Sequence, residues 1–385
     1  MKQSVGELYA DVTADITGLR KGLQKAQTEV KVFSAKIKNN LQRNAAQYKR
    51  MGRDIAIVGA AITAGLGAMI KSFGSFDASM RKATAVSDIT EKQFLLMSKM
   101  VQSQSVKLNK KVEELADGFY YLGSAGLSAT EQLKAFDSIA LLSKAAIITM
   151  GEATEMTVDT MKGFKIGFED TNKVIDIFTN VVTSSNQKFG QLGEAMSVVS
   201  GVARSMNNNL AQTSALIGIM ADVGIKGAKS GMMLRRSLLN LAAPTSEMRN
   251  QLKKLNVSIY DSTTGKMKPF IQIIGEISDA LKGASEEETN FTFKTLFGAR
   301  AIAGQIAIFD KGKDEIEKYV ASLEEAGSTQ EVADKQLAGF NEQLGILGKN
   351  IRLIVIQFGQ QLAPLVESFA GKVGGLVEKI KCFDL

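Results

Sequence analysis

The sequence contains no histidine and no tryptophan, and its single cysteine is Cys382. Without histidine, hydrolytic triads that use an imidazole and histidine-based metal sites are excluded. One cysteine cannot form a disulfide within the chain. Neighbouring glutamates such as Glu113 and Glu114 are typical of a solvated helix face, and no tryptophan-rich cleft accompanies them for binding sugars. The sequence therefore predicts no enzyme, no metal site and no cofactor.

Proline is also scarce, with only Pro244, Pro269 and Pro364 in 385 residues. Because proline breaks helix interiors, long stretches without it favour helices. Thr90 is a predicted N-cap, and Ser128 with Glu131 forms a predicted capping box. The fold class predicted is all-α, an elongated assembly of many helices. Two exceptions are a short N-terminal strand near residues 5–11 and a β-hairpin or ordered turn near residues 257–270.

The net charge of +7 is concentrated at the N-terminus, since residues 1–53 carry 11 Lys and Arg against 4 Asp and Glu. Apolar positions from Leu19 to Met51 follow a near-heptad spacing with one irregular step. This spacing predicts a basic helix, either an ordinary amphipathic helix or a coiled coil. The helix lacks interleaved aromatic residues, so no specific nucleic-acid partner is predicted.

Residues 55–70 form an uncharged run that is shorter than the roughly 20 residues of a membrane-spanning helix. Small residues recur every four positions within it, as in closely packed helices. The run is predicted to be a buried helix or hairpin, and insertion into a membrane after some trigger is the alternative. The candidate membrane-contacting positions are Ile55, Gly59, Thr63, Gly67 and Ile70.

The stretch GIKGAKSG at Gly224–Gly231 resembles a phosphate-binding loop only superficially. Such a loop requires Gly-Lys-Ser/Thr after four intervening residues, and here Ala228 separates the glycine from the lysine. The stretch is instead predicted to be a turn between helices, with left-handed backbone angles at Gly224 and Gly227. Gly231 is then a close helix contact, and Pro244 ends the helix that follows.

The remaining segments predict successive helices and four regions. Residues 291–308 are predicted to form one helix, and the chain is predicted to end with helices near residues 327–356 and 363–380. The predicted regions are a basic helix at 1–53, an apolar small-residue segment at 54–75, a helical core at 76–310, and long C-terminal helices at 311–385.

Six blocks between Phe76 and Ala301 resemble, in order, the core region of phage tail tape measure proteins. The most specific is GIMADVGIKGAKSGMMLRRSLLNLAAP at Gly218–Pro244, and the block LFGARA at Leu296–Ala301 adds Phe297 and Gly298 to the predicted structural positions. The other blocks are FDASMRKATAVSD, YYLGSAGLSATE, KVIDIFTNVVTSSNQKFGQLGEAM and IYDSTTGKMKPF.

The resemblance implies a structural protein that sets tail length while tube subunits polymerise around it and that aids DNA passage through the host envelope. The implied partners are other copies of the chain, the tail tube protein, tail assembly chaperones and baseplate or tail-tip proteins, with a transient host membrane contact. The implied location is the host cytoplasm and then the tail lumen, with the host inner membrane reached on ejection. Because tape measure proteins are usually longer, the chain is expected to be a protein of a short-tailed element, one part of a split gene or a truncated prophage copy, and the last two are favoured. A membrane-active helical protein of the toxin or pore-forming class is the alternative.

Overall fold

A computed structural model describes residues 68–381 of the chain, with side chains in the last helix through Gln361 and at Ala363. The predicted N-terminal strand, the basic helix of residues 1–53 and the positions Ile55 to Gly67 lie outside the described residues. Ile70 lies within them and is half-buried in the first described helix.

The described residues form sixteen α-helices and contain no strand, which confirms the all-α class. In chain order the helices are α1 (68–84), α2 (Glu91–Lys107), α3 (Val112–Ser124), α4 (Ala129–Ala145), α5 (Met150–Phe164), α6 (Thr171–Ser184), α7 (Phe189–Ser205), α8 (Leu210–Asp222), α9 (Ala228–Ala242), α10 (Ser246–Lys254), α11 (Phe270–Ala280), α12 (Glu286–Phe297), α13 (Ile302–Lys311), α14 (Lys313–Leu323), α15 (Ser328–Leu337) and α16 (Phe340–Lys381).

Local sequence signals explain where many helices begin. Four residues each accept a hydrogen bond from the backbone N–H three residues later: Thr90, Ser128, Thr149 and Asn209. The side chain of that later residue accepts a hydrogen bond in turn from the backbone N–H of the capping residue. These reciprocal pairs satisfy amide groups that a helix start leaves without partners. The capping box predicted at Ser128 and Glu131 is confirmed.

One continuous hydrophobic core joins the helices of the compact unit that begins at Met69. Helix α7 packs most extensively against α5 and α9, and α8 packs against α6 and α14. Phe119 stacks on Phe136 with ring centroids 4.2 Å apart, and both rings are fully buried. The same core extends to Leu323 in α14, so the late helices share it with the early ones.

The segment between α10 and α11 is an ordered turn. Tyr260 and Met267 form a single antiparallel bridge, and the Asp261 carboxylate accepts hydrogen bonds from the N–H groups of Thr263 and Thr264. This supports the ordered-turn interpretation, since no strand accompanies the bridge in the described part of the chain.

Three predicted helix boundaries are wrong. Residues 291–308 form parts of two helices, because Gly298 has φ +79° and ψ 157° and ends α12. The predicted helix 327–356 is interrupted at Ala338 and Gly339. The helix that follows runs unbroken from Phe340 to Lys381, past Pro364, where a separate helix was predicted to begin. Proline removes one backbone hydrogen bond, and the remaining backbone hydrogen bonds of the 42-residue helix maintain it.

Candidate functional site

The predicted glycine turn connects α8 to α9. Gly224 has φ +85° and Gly227 has φ +62°, as the spacing predicts. Between them the Ile225 side chain is buried, and its N–H donates to the Met220 carbonyl at 2.9 Å. Side chains with a Cβ rarely adopt these angles, so both positions favour glycine. The turn joins the two helices within five residues, and the buried Ile225 side chain anchors it.

Glycines also allow α5, α7 and α9 to approach closely. A Cβ built on Gly231 of α9 would lie 2.4 Å from the Ala195 carbonyl oxygen of α7. A Cβ on Gly163 of α5 would lie 2.4 Å from the Ser200 Cβ, on the other side of α7. Contacts this short cannot exist, so glycine sets the spacing between these backbones. The close contact predicted at Gly231 is confirmed.

The N-terminus of α9 faces a carboxylate. The Ala228 N–H donates to Glu194 Oε2 at 3.4 Å, and a Cβ on Gly227 would lie 2.5 Å from the same oxygen. Helix N-termini attract anions, and here the attracted anion is a side chain of α7. The arrangement agrees with the exclusion of a phosphate-binding loop.

The remaining predicted positions lie farther along α9 and at its partner α12. Phe297 is fully buried, and its ring centroid lies 5.7 Å from that of Phe293. The Phe297 carbonyl accepts a hydrogen bond from Asn240 Nδ2 of α9 at 3.4 Å. Gly298 ends α12 directly after it. Pro244 follows α9, and its carbonyl accepts from Arg249 Nη1 at 2.6 Å. The predicted positions therefore border one helix, α9, along its length, and their functional importance stays a prediction.

A second polar contact was not predicted from the sequence. Asp176 in α6 is buried, and its two carboxylate oxygens accept from the N–H groups of Gly327 and Thr329 at 2.8 and 2.9 Å. Thr179 meets Thr329 through their hydroxyls at 2.9 Å, and Asn180 donates to the carbonyls of Leu323 and Glu325. Helix α6 thus caps the start of α15. The only sequence signal is a polar i, i+3, i+4 set on an otherwise apolar helix face.

The start of α16 is attached to the preceding helices by polar contacts. Glu342 accepts from Asn109 Nδ2 at 2.7 Å and pairs with the Lys144 ammonium at 3.0 Å. These two partners, Asn109 first, lower the pKa of the Glu342 carboxyl below its ordinary value. Arg352 pairs with Glu113. A solvent-open cleft of about 600 Å³ borders this attachment, with Lys110 and Lys144 each paired to a glutamate.

Residues 68–381 contain no group of three or more acidic or cysteine side chains placed to hold a metal ion. Within the same residues no helix combines the length and the apolar character needed to cross a membrane. The helix caps, the glycine contacts and the shared core define a helical protein in which side chains such as Glu194 and Asp176 contact other helices of the same chain.

The chain belongs to the family described as phage-related minor tail proteins, whose match covers residues 97–298, more than half of the chain. It is 28% identical over 381 residues to the "Tape measure protein" of Pneumococcus phage Dp-1, covering 97% of this chain and 32% of that protein. It is 23% identical over 192 residues to the "Probable tape measure protein" of Escherichia phage P2, covering 48% of this chain and 23% of that protein.

These matches confirm the resemblance to tape measure proteins. The chain spans about a third of the Pneumococcus phage protein and a quarter of the Escherichia phage protein. No solved structure matches the chain significantly.

Proposed function

We propose that this chain is a structural part of a phage tail. It contributes the folded helical core of a tape measure protein and, in α16, helical sequence that measures tail length. The observation that carries the proposal is the match over nearly the whole chain to the Pneumococcus phage "Tape measure protein". A structural role also suits the described residues, in which buried polar side chains such as Asp176 join one helix to the start of another.

The fold supports different roles for helices α2 to α15 and for the long helix α16. The helices from α2 to α15 have 9 to 17 residues and pack on one another in a shared core. Residues added to these helices would therefore alter the packing of the core and would not extend the molecule in proportion to their number. Helix α16 has 42 residues, which corresponds to about 63 Å at about 1.5 Å per residue. A long helix converts residue count directly into distance. We therefore assign the measuring role to α16 and to helical sequence of the same kind.

The proposed partners follow from this role. They are other copies of the chain, the tail tube protein, tail assembly chaperones and the baseplate or tail tip, with assembly in the host cytoplasm and a final place in the tail lumen. Aid to DNA passage, with contact between residues 55–70 and the host membrane, belongs to the same proposal. Those residues lie almost entirely outside the described part of the chain.

The first test is mass spectrometry of purified tails from the phage or prophage that encodes the chain. Detection of its peptides in assembled tails supports the proposal. Normal tails that lack the chain contradict a structural role.

The second test is tail length. An insertion of about 28 heptad-patterned residues in α16 after Gln357 should lengthen tails by about 42 Å in electron micrographs. A matched insertion of the same length at Thr263, in the exposed turn between α10 and α11, should leave length unchanged, because surface turns tolerate insertions. Equal tail lengths in both variants would contradict the measuring role of α16.

A further inference from the structure

The C-terminal end of α9 is the point where two later segments of the chain return to it. The Asn240 side chain donates to the Phe297 carbonyl at 3.4 Å, which places the end of α12 beside this helix end. The Tyr260 hydroxyl donates to the Ala242 carbonyl at 2.9 Å, which places the ordered turn between α10 and α11 there as well. Side chains from these segments therefore share one stretch of surface with the last turns of α9.

Four arginines lie around this helix end. Arg235 and Arg236 belong to α9 itself. Arg249 of α10 is held there because its Nη1 donates to the Pro244 carbonyl at 2.6 Å. Arg300 follows directly after the end of α12. We call Arg235, Arg236, Arg249 and Arg300 the arginine cluster, and all four side chains are exposed.

The arginine cluster has no carboxylate partners. Residues 68–381 contain seven arginines, of which Arg81 and Arg352 form ion pairs. Within those residues no ion pair joins the four cluster arginines to a carboxylate. Residues 226–254 carry seven Lys and Arg against one acidic residue, Glu247. Like charges held together without acidic neighbours repel one another, and a bound anion removes that repulsion.

The composition of this surface favours the phosphates of a nucleic acid as the anion. A guanidinium group donates two parallel hydrogen bonds to a phosphate. Beside the cluster, α9 exposes Met232 and Leu239 by 56 and 42%, which is too little apolar surface for the centre of a protein interface or for a membrane-bound helix. The Tyr260 ring is 45% exposed at the same place, and an exposed ring among cations is a platform for an unpaired base.

We propose that the arginine cluster at the end of α9 binds DNA through its phosphate backbone, with the Tyr260 ring as the stacking platform for an unpaired base. Contacts to phosphates carry no sequence information, so this binding is independent of sequence. The inference rests on the proposed function only in the choice of DNA over RNA, because that proposal includes aid to DNA passage.

The test measures binding of the full chain to labelled duplex and single-stranded DNA by fluorescence anisotropy over a range of salt concentration. The triple variant Arg235→Gln, Arg236→Gln and Arg300→Gln should weaken binding to both by roughly tenfold or more. It should also reduce the slope of log affinity against log salt by about 2–3, because each lost phosphate contact releases about one counterion fewer. Two unrelated DNA sequences should give the same result.

The matched control is Lys82→Gln with Lys92→Gln and Lys99→Gln, which removes the same charge from exposed positions on α1 and α2. It should bind DNA like the wild type. Both variants keep residues 1–53 unchanged, and circular dichroism should show both folded like the wild type because all the changed positions are exposed. Equal affinities of the cluster variant and the control overturn the proposal, including the case in which residues 1–53 supply all the binding.

Two further measurements test the choice of partner. On single-stranded DNA, Tyr260→Leu should weaken binding by roughly fivefold or more while Tyr260→Phe binds like the wild type, and equal binding of these two variants overturns the stacking role. Poly-L-glutamate should displace labelled DNA less effectively than unlabelled DNA of equal charge. Equal displacement overturns the choice of nucleic acid in favour of an acidic protein segment. None of these outcomes depends on whether the chain is found in tails, so failure here is distinguishable from failure of the proposed function.

Discussion

At the scale of single residues, replacing glycine by alanine should have opposite effects on stability at two positions of the packed helices α7 and α9. Gly231→Ala should lower the free energy of unfolding by about 1–3 kcal/mol, because its Cβ would lie 2.4 Å from the Ala195 carbonyl oxygen and the backbones must separate. Gly201 is exposed inside α7 and has no neighbour within 4 Å. Gly201→Ala should therefore raise the same free energy by about 0.5–1 kcal/mol. Urea unfolding measures both, and equal effects would contradict the close-contact interpretation.

A second residue-scale prediction concerns Glu152 in the capping box of α5. Hydrogen bonds from the Thr149 N–H and hydroxyl lower the pKa of this carboxyl below its ordinary value of 4.5. A lowered folded-state pKa adds stability above pH 4.5, and that contribution is lost as the pH falls through the lowered value.

Glu152→Gln keeps an acceptor and removes the charge, so near pH 7 it should cost about 0.3–1 kcal/mol of unfolding free energy. The difference from wild type should shrink as the pH falls below 4.5. Chemical unfolding at several pH values measures this change. Glu155→Gln, at an exposed position in the same helix, is the control. A difference that stays constant from pH 7 to strongly acidic pH would contradict the assigned role of the carboxylate.

At the scale of helices, the sequence predicts the features that depend on residues close together in the chain, such as helix starts. Thr90 and Ser128 begin helices where predicted, because their capping partners are three residues away. The end of α12 at Gly298 was not predicted, since the apolar pattern continues through the non-helical residues 298–301. The role of Asp176 could not be predicted, because its partners lie about 150 residues later in the chain.

The Asp176 contact gives the element-scale prediction. Asp176→Ala should lower the free energy of unfolding by about 1–3 kcal/mol, since it leaves the buried N–H of Thr329 without its acceptor and also removes the part-buried contact to the Gly327 N–H. Lys173 lies on the same helix as Asp176 and forms an exposed ion pair with Glu324. Lys173→Ala removes this pair and should lower the free energy of unfolding by less than about 0.5 kcal/mol. Thermal unfolding compares the two variants. Equal losses of unfolding free energy in the two variants would contradict the larger stabilising role assigned to the buried Asp176 contact.

At the scale of the whole molecule, the resemblance identified the family correctly, and the fold adds how the late helices join the core. The region boundary predicted at residue 310 rests on a change from short to long helices. In the described residues, Ile316 and Leu323 of α14 are fully buried in the same hydrophobic core as Leu142 of α4. Helix periodicity indicates an apolar face but not which distant helix covers it, so this packing could not be predicted from the sequence.

A shared core predicts a single cooperative unfolding transition for these helices. Leu323→Ala and Leu142→Ala each remove a fully buried side chain and should each cost about 2–5 kcal/mol. Either variant should accelerate hydrogen exchange of the slowest amides in both α4 and α14, because those amides exchange through the same global opening. If Leu323→Ala accelerates exchange in α14 alone, the late helices unfold independently and the boundary at residue 310 separates two folding units.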